Sequence, residues 1–314
     1  MTSTRPFDRF RAPHPGLVVG VRTAGASEIW NRGVAPDAVF EIGSITKTFT
    51  ATLLASLARD GVVGLDDPVA KHLPVAPPVL RSEITLEDLA THRSGLPRLP
   101  AGTLIDGYTR NRRDPYARFD EPRLRRAIAE TKPKRAPKTK FAYSNYGYGL
   151  LGYALARAAG TTYAALVRER IAAPLQLERT APDTRGLVQG HGFFGRPAAP
   201  WNLALLAGAG GLRSTAADML AYLALHAPDA TGPLAGAARD TRVKRATMGK
   251  LGVGLAWLIL PGGREWLLHD GGTGGFRSFA AVEPASGNAV VVLGNRARSV
   301  TRLGMRIMNE TPPR

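Results

Sequence analysis

The sequence contains no cysteine among its 314 residues. This excludes a disulfide framework and a thiolate metal site, although it leaves the redox compartment open. No stretch reaches the roughly 18 consecutive apolar residues of a membrane-spanning helix. Arg and Asp interrupt the N-terminus where a secretory signal needs an unbroken apolar run, so we expect a soluble protein with no export signal. It would be cytoplasmic as written, and periplasmic or secreted if a leader was removed.

Acidic side chains are scarce, with 25 Asp and Glu against 42 Lys and Arg, which gives a net charge of +17. Clustered cations gain affinity for nucleic acid by releasing counterions from phosphates. Here residues 110–140 alone hold twelve Lys or Arg and four acids, and they include KPKRAPKTK, a proline-interrupted run typical of a solvated loop. No helix-turn-helix, zinc-finger or paired aromatic pattern accompanies this run. We therefore expect no specific nucleic-acid partner.

What the chain does contain is enough apolar material for a large core, since 44% of its residues are hydrophobic. Apolar alternation in GLVVGVR and SEIWNRGV, within residues 16–34, predicts a pair of antiparallel strands. Near the C-terminus, short β-rich runs separated by glycine-rich turns predict an antiparallel meander. These runs are GVGLAWLIL, REWLLHD, FRSFAAVEP and NAVVVLGN.

Helical periodicity dominates between these two ends. The stretch FEIGSITKTFTATLLASLARDG, residues 40–61, predicts an amphipathic helix that Asp60 and Gly61 terminate. Another helix is predicted to open at Thr85, and Ser214 or Thr215 can cap a later one. The remaining helical stretches are LLGYALARAAG, YAALVRERIAAPL, STAADMLAYLALHA and residues 299–308.

The element order predicts an α+β fold (an α/β sandwich) in which strands from both chain ends share one antiparallel sheet flanked by helices. An all-helical domain is then inserted into the sheet domain. We expect residues 1–44 and 215–314 to form the sheet domain and residues 45–214 the helical domain. The cleft between the two is the expected active site.

The start of the first long helix carries residues suited to catalysis. Ser44 and Lys47 are three residues apart, so they would be exposed neighbours on its first turn. An amine can take the proton of a serine hydroxyl once desolvation or nearby positive charge lowers its pKa. The backbone N–H groups at a helix start also favour an oxyanion. Alone, however, the spacing also fits a helix cap beside an unrelated surface lysine.

Two later stretches carry further candidates. FAYSNYGYGLLG places Tyr143 and Asn145 just before a helix, where a phenol could relay protons and an amide could hold a substrate carbonyl. HDGGTGGFRSF places His269 at a strand end, beside glycines that let a ligand approach the backbone. Each stretch also has a simpler interpretation, the first as an aromatic turn packed on the core and the second as a glycine-rich hairpin.

Together the three stretches resemble the motifs of serine β-lactamases and penicillin-recognising enzymes, specifically the class C β-lactamase, DD-peptidase and esterase group. Ser44-Ile45-Thr46-Lys47 is similar to the Ser-x-x-Lys motif. Tyr143-Ser144-Asn145 is similar to Tyr-x-Asn, and His269-Asp270-Gly271 to a variant of Lys-Thr-Gly. THRSGLP and GAGGLRSTAADM also resemble stretches of that group, and the likeness extends from about Gly16 to the C-terminus.

The resemblance implies a role for each motif residue. Ser44 would attack the carbonyl, and Lys47 with Tyr143 would transfer its proton to the leaving group. Asn145 would orient the substrate, with His269 and Gly271 also binding it. The backbone N–H groups of Ser44 and Gly272 would form the oxyanion hole.

The chain departs from the family pattern at the third motif, which begins with His269 instead of lysine. A histidine is charged for only part of the physiological pH range, so efficient turnover of β-lactams is in doubt. Arg277 either replaces the missing cation or faces solvent, and we favour solvent.

Our leading hypothesis is a serine hydrolase that forms an acyl-enzyme on Ser44 and cleaves β-lactam, ester or amide carbonyls. The first alternative is an esterase or D-amino-acid peptidase without useful β-lactamase activity. The others are a catalytically silent ligand-binding protein and an acyltransferase. In each case the partner would be a small molecule, and the oligomeric state is left open.

No cofactor or metal is expected. Five further histidines are scattered through the sequence, without the i, i+4 pairs or acidic companions of a metal site. They are interpreted as surface or core residues: His14, His72, His92, His191 and His226. Gly208-Ala209-Gly210-Gly211 lacks the Gly-Lys-Ser/Thr ending of a phosphate-binding loop and is interpreted as a turn.

Overall fold

A computed structural model describes residues 14–74, 84–100, 114, 116 and 119–312. Its main feature is an eight-stranded antiparallel sheet of order β2-β1-β12-β11-β10-β9-β8-β7. The strands are β1 (Leu17–Thr23), β2 (Ala26–Arg32), β7 (Ala246–Met248), β8 (Leu251–Val253), β9 (Leu258–Leu260), β10 (Trp266–Gly272), β11 (Arg277–Glu283) and β12 (Asn288–Gly294). Two short pairs lie outside it: β3 (Phe40–Glu41) with β6 (Arg213–Ser214), and β4 (Gly190–His191) with β5 (Pro197–Ala198).

Eight α-helices are described. They are α1 (Thr46–Arg59), α2 (Leu86–Ala90), α3 (Glu121–Glu130), α4 (Asn145–Ala158), α5 (Tyr163–Val167), α6 (Ala216–Leu223), α7 (Gly232–Thr241) and α8 (Thr301–Glu310). A π-turn, Arg168–Ala172, follows α5, and short 3-10 helices occupy Gly43–Ile45, Val69–His72, Ala204–Ala209 and Ala224–His226.

The central strands are buried on both faces because helices cover the sheet from each side. Side chains of a strand alternate between the two faces. In β12, Val290 and Val292 pack with Leu303 of α8, whereas Val291 and Leu293 join the larger core that contains α1 and α4. Continuous apolar runs such as NAVVVLGN are therefore expected here. The two layers confirm the predicted α+β sandwich.

The predicted union of the two chain ends in one sheet is confirmed, because β1 pairs with β12 from Leu17↔Gly294 to Arg22↔Ala289. The meander prediction is correct except in GVGLAWLIL, which is two strands instead of one. Ala256 has a φ of 65° in the turn that separates β8 from β9. The proposed division into domains 1–44 plus 215–314 and 45–214 stays a prediction.

The first long helix differs from its prediction at its N-terminal end. Residues 40–41 form β3 and Gly43–Ile45 a 3-10 turn, so α1 begins only at Thr46. Ser44 therefore lies in the turn before the helix. Its C-terminal end is as predicted, with Asp60 as the C-cap and Gly61 in the left-handed region at φ 71°. Helices α3 and α7 were not predicted.

Candidate active site

Ser44 lies where the turn before α1 meets the end of β10. Gly43 has a φ of 51°, and an added Cβ there would lie 2.6 Å from the Gly272 backbone nitrogen. Ser278 supports the same junction, since its Oγ donates a hydrogen bond to the Ile42 carbonyl at 2.8 Å. Only a residue without a side chain allows this close approach. The backbone of Gly43, the residue before Ser44, therefore lies directly against the backbone of Gly272.

Lys47 is wholly buried, which corrects the expectation that it would be exposed on the helix surface. Its Nζ lies 3.0 Å from Ser44 Oγ and 2.9 Å from Asn145 Oδ1, and it also contacts the Ala209 carbonyl oxygen. The two carbonyl oxygens can only accept hydrogen bonds, whereas the serine hydroxyl can donate or accept. A neutral amine satisfies all three partners with two N–H donors and one lone pair, and the lone pair then faces Ser44.

Tyr143 and Asn145 reach this position because α4 begins beside them. Ser144 is its N-cap, and its Oγ accepts a hydrogen bond from the Gly147 N–H at 2.8 Å. On one side of this cap, Tyr143 Oη donates to Ser44 Oγ at 2.7 Å. On the other side of the cap, Asn145 Oδ1 accepts a hydrogen bond from Lys47 Nζ. Residues almost a hundred positions apart in sequence therefore meet at one hydroxyl.

Burial perturbs both titratable groups that contact Ser44. It lowers the pKa of Lys47 well below its usual value; nearby Arg98 lowers it further, and Asp270 opposes the shift. Burial also raises the pKa of Tyr143, and the hydrogen bond to Ser44 offsets only part of this rise. The lysine thus tends toward the free amine, while the tyrosine is held as a phenol.

His269 does not lie in the cleft with the other predicted site residues. Its side chain is buried, and Nδ1 is 2.6 Å from the Asp270 carbonyl oxygen, which identifies Nδ1 as the protonated nitrogen. Burial lowers the pKa of His269 to about 4. The partial positive charge expected from the sequence is therefore absent at neutral pH.

The cleft itself has a volume of about 550 Å³. Among the predicted residues, Ser44, Tyr143, Asn145, Gly271 and Gly272 line it. Its other lining residues are Arg98, Leu99, Tyr116, Trp201, Asp270, Thr273 and Arg277. A larger cavity, of about 640 Å³, lies beside Phe141, Lys140 and Lys244, but the motif side chains are not part of its lining.

Arg277 corrects our preference for a solvent-facing side chain. It lines the cleft and is only partly exposed. Its Nη1 donates hydrogen bonds to the carbonyls of Thr273 and Phe276 at 2.8 and 2.7 Å. The guanidinium therefore folds over the backbone that follows Gly272 and places a permanent cation at the cleft wall.

Comparison with known proteins identifies the family. The family model described as Beta-lactamase matches residues 7–309. The chain belongs to this family. It is 31% identical to the D-alanyl-D-alanine-carboxypeptidase/endopeptidase AmpH of Escherichia coli K12, over 83% of this chain and 72% of that protein. It is also 31% identical to penicillin-binding protein 4 of Amycolatopsis lactamdurans, over 92% of this chain and 83% of that protein.

Solved structures agree with this assignment. The class C beta lactamase from Rhodobacter sphaeroides superimposes with a TM-score of 0.82 at 27% identity, over 96% of each chain. The protein has the class C beta-lactamase fold and is a serine hydrolase of the beta-lactamase family.

Several side chains of this beta-lactamase-family site carried no signal in the sequence. Arg98 has its guanidinium 5.3 Å from the Tyr143 ring centre. Tyr116 Oη accepts a hydrogen bond from Asn145 Nδ2 at 3.2 Å, and its ring lies 5.5 Å from that of Trp201. These residues come from loops without periodicity, so only the fold brings them to the cleft.

His92 also belongs to the site, although the sequence suggested an ordinary core or surface residue. It is buried with a φ of 57°, and its ring centre lies 4.4 Å from that of Tyr143. Its Nδ1 accepts a hydrogen bond from the Ser144 N–H at 3.1 Å. Burial lowers the pKa of His92 well below its usual value, so its ring is neutral.

Two kinds of feature are absent from the residues that the structure describes. Within that part of the chain, no group of three His, Asp or Glu side chains is arranged to hold a metal ion. None of the helices described here has the length and apolar character needed to cross a bilayer.

Proposed function

We propose that Ser44 is the nucleophile of this serine hydrolase and that it forms an acyl-enzyme with a small carbonyl substrate. One observation carries the proposal: Lys47 Nζ and Tyr143 Oη both lie within hydrogen-bonding distance of Ser44 Oγ, at 3.0 and 2.7 Å. A hydroxyl that is hydrogen-bonded to both an amine and a phenol can lose its proton to the amine. A proton can later be returned through the phenol.

Lys47 is the base in this proposal. Its lowered pKa favours the free amine, and its bonds to Asn145 and the Ala209 carbonyl direct the lone pair at the serine. Tyr143 cannot take this role at neutral pH because its pKa is raised. As a phenol it donates to Ser44 and can pass a proton onward to a leaving group.

The reaction then proceeds in two steps, acylation of Ser44 and hydrolysis of the acyl-enzyme. Ser44 Oγ bonds to the carbonyl carbon, and its proton passes to Lys47. The C–N or C–O bond of the substrate breaks, and the proton reaches the leaving nitrogen or oxygen through Tyr143. Water next attacks the acyl ester, breaks its bond to Oγ and returns a proton to Ser44.

The negative charge that develops on the carbonyl oxygen would be held by backbone N–H groups of Ser44 and Gly272. The close approach of Gly43 to Gly272 supports this pairing. One such donor is typically worth about 3 kcal/mol of transition-state stabilisation. Asn145 and Gly271, which also line the cleft, would orient the substrate. His269 is buried behind it and would act only indirectly.

For substrates, we propose β-lactam-type hydrolysis, as the name of the solved structure suggests, accompanied by promiscuous ester hydrolysis. The neutral His269 specifically favours a second candidate, an esterase or D-amino-acid amidase with little β-lactamase activity. Because the third motif supplies no cation at neutral pH, Arg98 and Arg277 are the cations of the cleft lining that could attract a substrate carboxylate.

A substrate panel tests these proposals together. Wild type and Ser44→Ala would be assayed with a chromogenic cephalosporin, p-nitrophenyl acetate and a D-alanine p-nitroanilide. We expect turnover of at least one substrate by the wild type and none by the variant. Preferred cleavage of the cephalosporin supports the first candidate, and preferred cleavage of the ester or anilide supports the second. Turnover that survives in Ser44→Ala contradicts the assignment of the nucleophile.

A further inference from the structure

The β4–β5 hairpin exposes two adjacent aromatic side chains at its tip. Phe194 is 87% exposed and Phe193 54%. The other large hydrophobic residues exposed within the described ranges are Val62 and Val243, at 39% and 53%. The rings of Phe193 and Phe194 contact each other edge to face, with centres 5.2 Å apart. We call these two residues the aromatic tip.

The aromatic tip is held outward by a structured hairpin. Gly192 N–H donates to the Arg196 carbonyl at 2.8 Å, and Gly195 N–H to the Gly192 carbonyl at 2.9 Å. At the base, His191 N–H donates to the Asn295 carbonyl at 2.9 Å. These hydrogen bonds hold the hairpin against the residue that follows β12, so the backbone that carries the exposed phenyl rings is ordered.

Arginine side chains surround the aromatic tip. Arg296 Nη2 donates to the Phe193 carbonyl at 3.1 Å, and the Arg298 guanidinium lies 4.6 Å from the Phe193 ring centre. Arg196 is exposed on the hairpin itself. The positive charge of this region also acts on a buried residue. Burial lowers the pKa of His14 to about 4, and the charges of Arg32 and Arg296 contribute to this shift. The aromatic tip is thus apolar at its centre and cationic around it.

We propose that the aromatic tip and its arginines bind an anionic lipid surface. Phenyl rings partition into the boundary between headgroups and acyl chains, and guanidinium groups bind the lipid phosphates. A second protein copy fits less well, because two phenylalanines bury at most about 500 Å². A stable protein interface needs roughly 800 Å² from each partner.

The position of the hairpin gives such binding a consequence for the cleft. His191 N–H also bonds the Gly275 carbonyl, at 3.1 Å, three residues after Gly272. Trp201, which follows β5, lines the cleft. Docking by the aromatic tip would hold the mouth of the cleft close to the lipid surface.

Co-sedimentation with vesicles tests the proposal. The lipids would be phosphatidylcholine alone, or phosphatidylcholine and phosphatidylglycerol in equal parts. The test variant is Phe193→Ser/Phe194→Ser, and the matched control is Val62→Ser/Val243→Ser, which removes the other exposed apolar pair. We expect wild type and control to bind anionic vesicles, and the test variant to bind about tenfold more weakly. High salt should weaken binding, since the Debye length falls from about 10 Å at 0.1 M to about 3 Å at 1 M.

Three results would overturn the proposal. The first is equal binding by both double variants, and the second is binding that does not depend on anionic lipid. The third is a wild type that does not bind vesicles, including the case of a dimer, detected by analytical ultracentrifugation, that the test variant abolishes. The far-UV circular-dichroism spectrum should be the same for all three proteins, which verifies that each is folded.

Discussion

Replacing Gly43 by alanine is expected to disable the enzyme by a defined backbone clash. The new Cβ would lie 2.6 Å from the Gly272 nitrogen and 3.0 Å from the Gly272 carbonyl carbon and oxygen. All three are backbone atoms of β10, so no flexible side chain can move to make room. Relief requires the turn that carries Ser44 to separate from the strand end that carries the second oxyanion donor.

The magnitude follows from two contributions. A left-handed φ of 51° costs an alanine about 1 kcal/mol or somewhat more in stability. Displacing one oxyanion donor costs about 3 kcal/mol of transition-state stabilisation, which corresponds to a loss of roughly 10²- to 10³-fold in kcat. Stability should therefore fall modestly and kcat severely.

Gly61→Ala provides the matched control, at the other end of the same helix. Its φ is 71°, and an added Cβ would meet nothing within 4 Å. It carries the same backbone cost without the clash. Both variants would be measured for thermal unfolding and for kcat with the best substrate of the panel. If Gly43→Ala loses no more kcat than Gly61→Ala, the proposed oxyanion pairing is wrong.

Three further predictions concern titratable groups. Arg98→Gln removes a charge that helps lower the pKa of Lys47, so the acidic limb of kcat/KM should move to higher pH; an unmoved limb contradicts this coupling. His92→Asn keeps a hydrogen-bond acceptor and tolerates the left-handed backbone, so its kcat should exceed that of His92→Leu, which loses this acceptor and fits the left-handed backbone poorly; equal kcat values would show that His92 does not align the site. His226 is buried with its pKa lowered to about 3, so it stays neutral in the folded protein but gains a proton on unfolding once the pH falls below about 6.5. Between pH 7 and about pH 4.5, the free energy of unfolding measured by denaturant titration should fall by roughly 3 kcal/mol less for His226→Leu than for wild type. An identical fall for both proteins would show that protonation of His226 is not the cause.

The sheet was predictable from sequence because its signals are local. Alternating apolar residues and glycine-rich turns determine β1, β2 and the C-terminal meander. The turn before α1 was not predicted, because the helical spacing of Phe49, Leu53 and Leu57 was extended back to Phe40. The helix begins later than predicted because Phe40 pairs with Ser214, and these two residues are far apart in sequence.

The motif residues of the site were predicted, but their environment was not. Tyr143 and Asn145 were assigned from a short motif, and the structure brings both to Lys47 and Ser44. Burial depends on the packing of several elements, so a sequence pattern cannot show that His269 is enclosed and neutral. The same reason explains why Arg277 was expected in solvent.

The proposed function depends on an activated Ser44 hydroxyl that becomes acylated. Intact-protein mass spectrometry after reaction with a fluorophosphonate, followed by peptide mapping, detects this modification. We expect one adduct per chain, located on Ser44, and no adduct on Ser44→Ala under the same conditions. An unlabelled wild type, or an adduct on another residue that persists in Ser44→Ala, would contradict it.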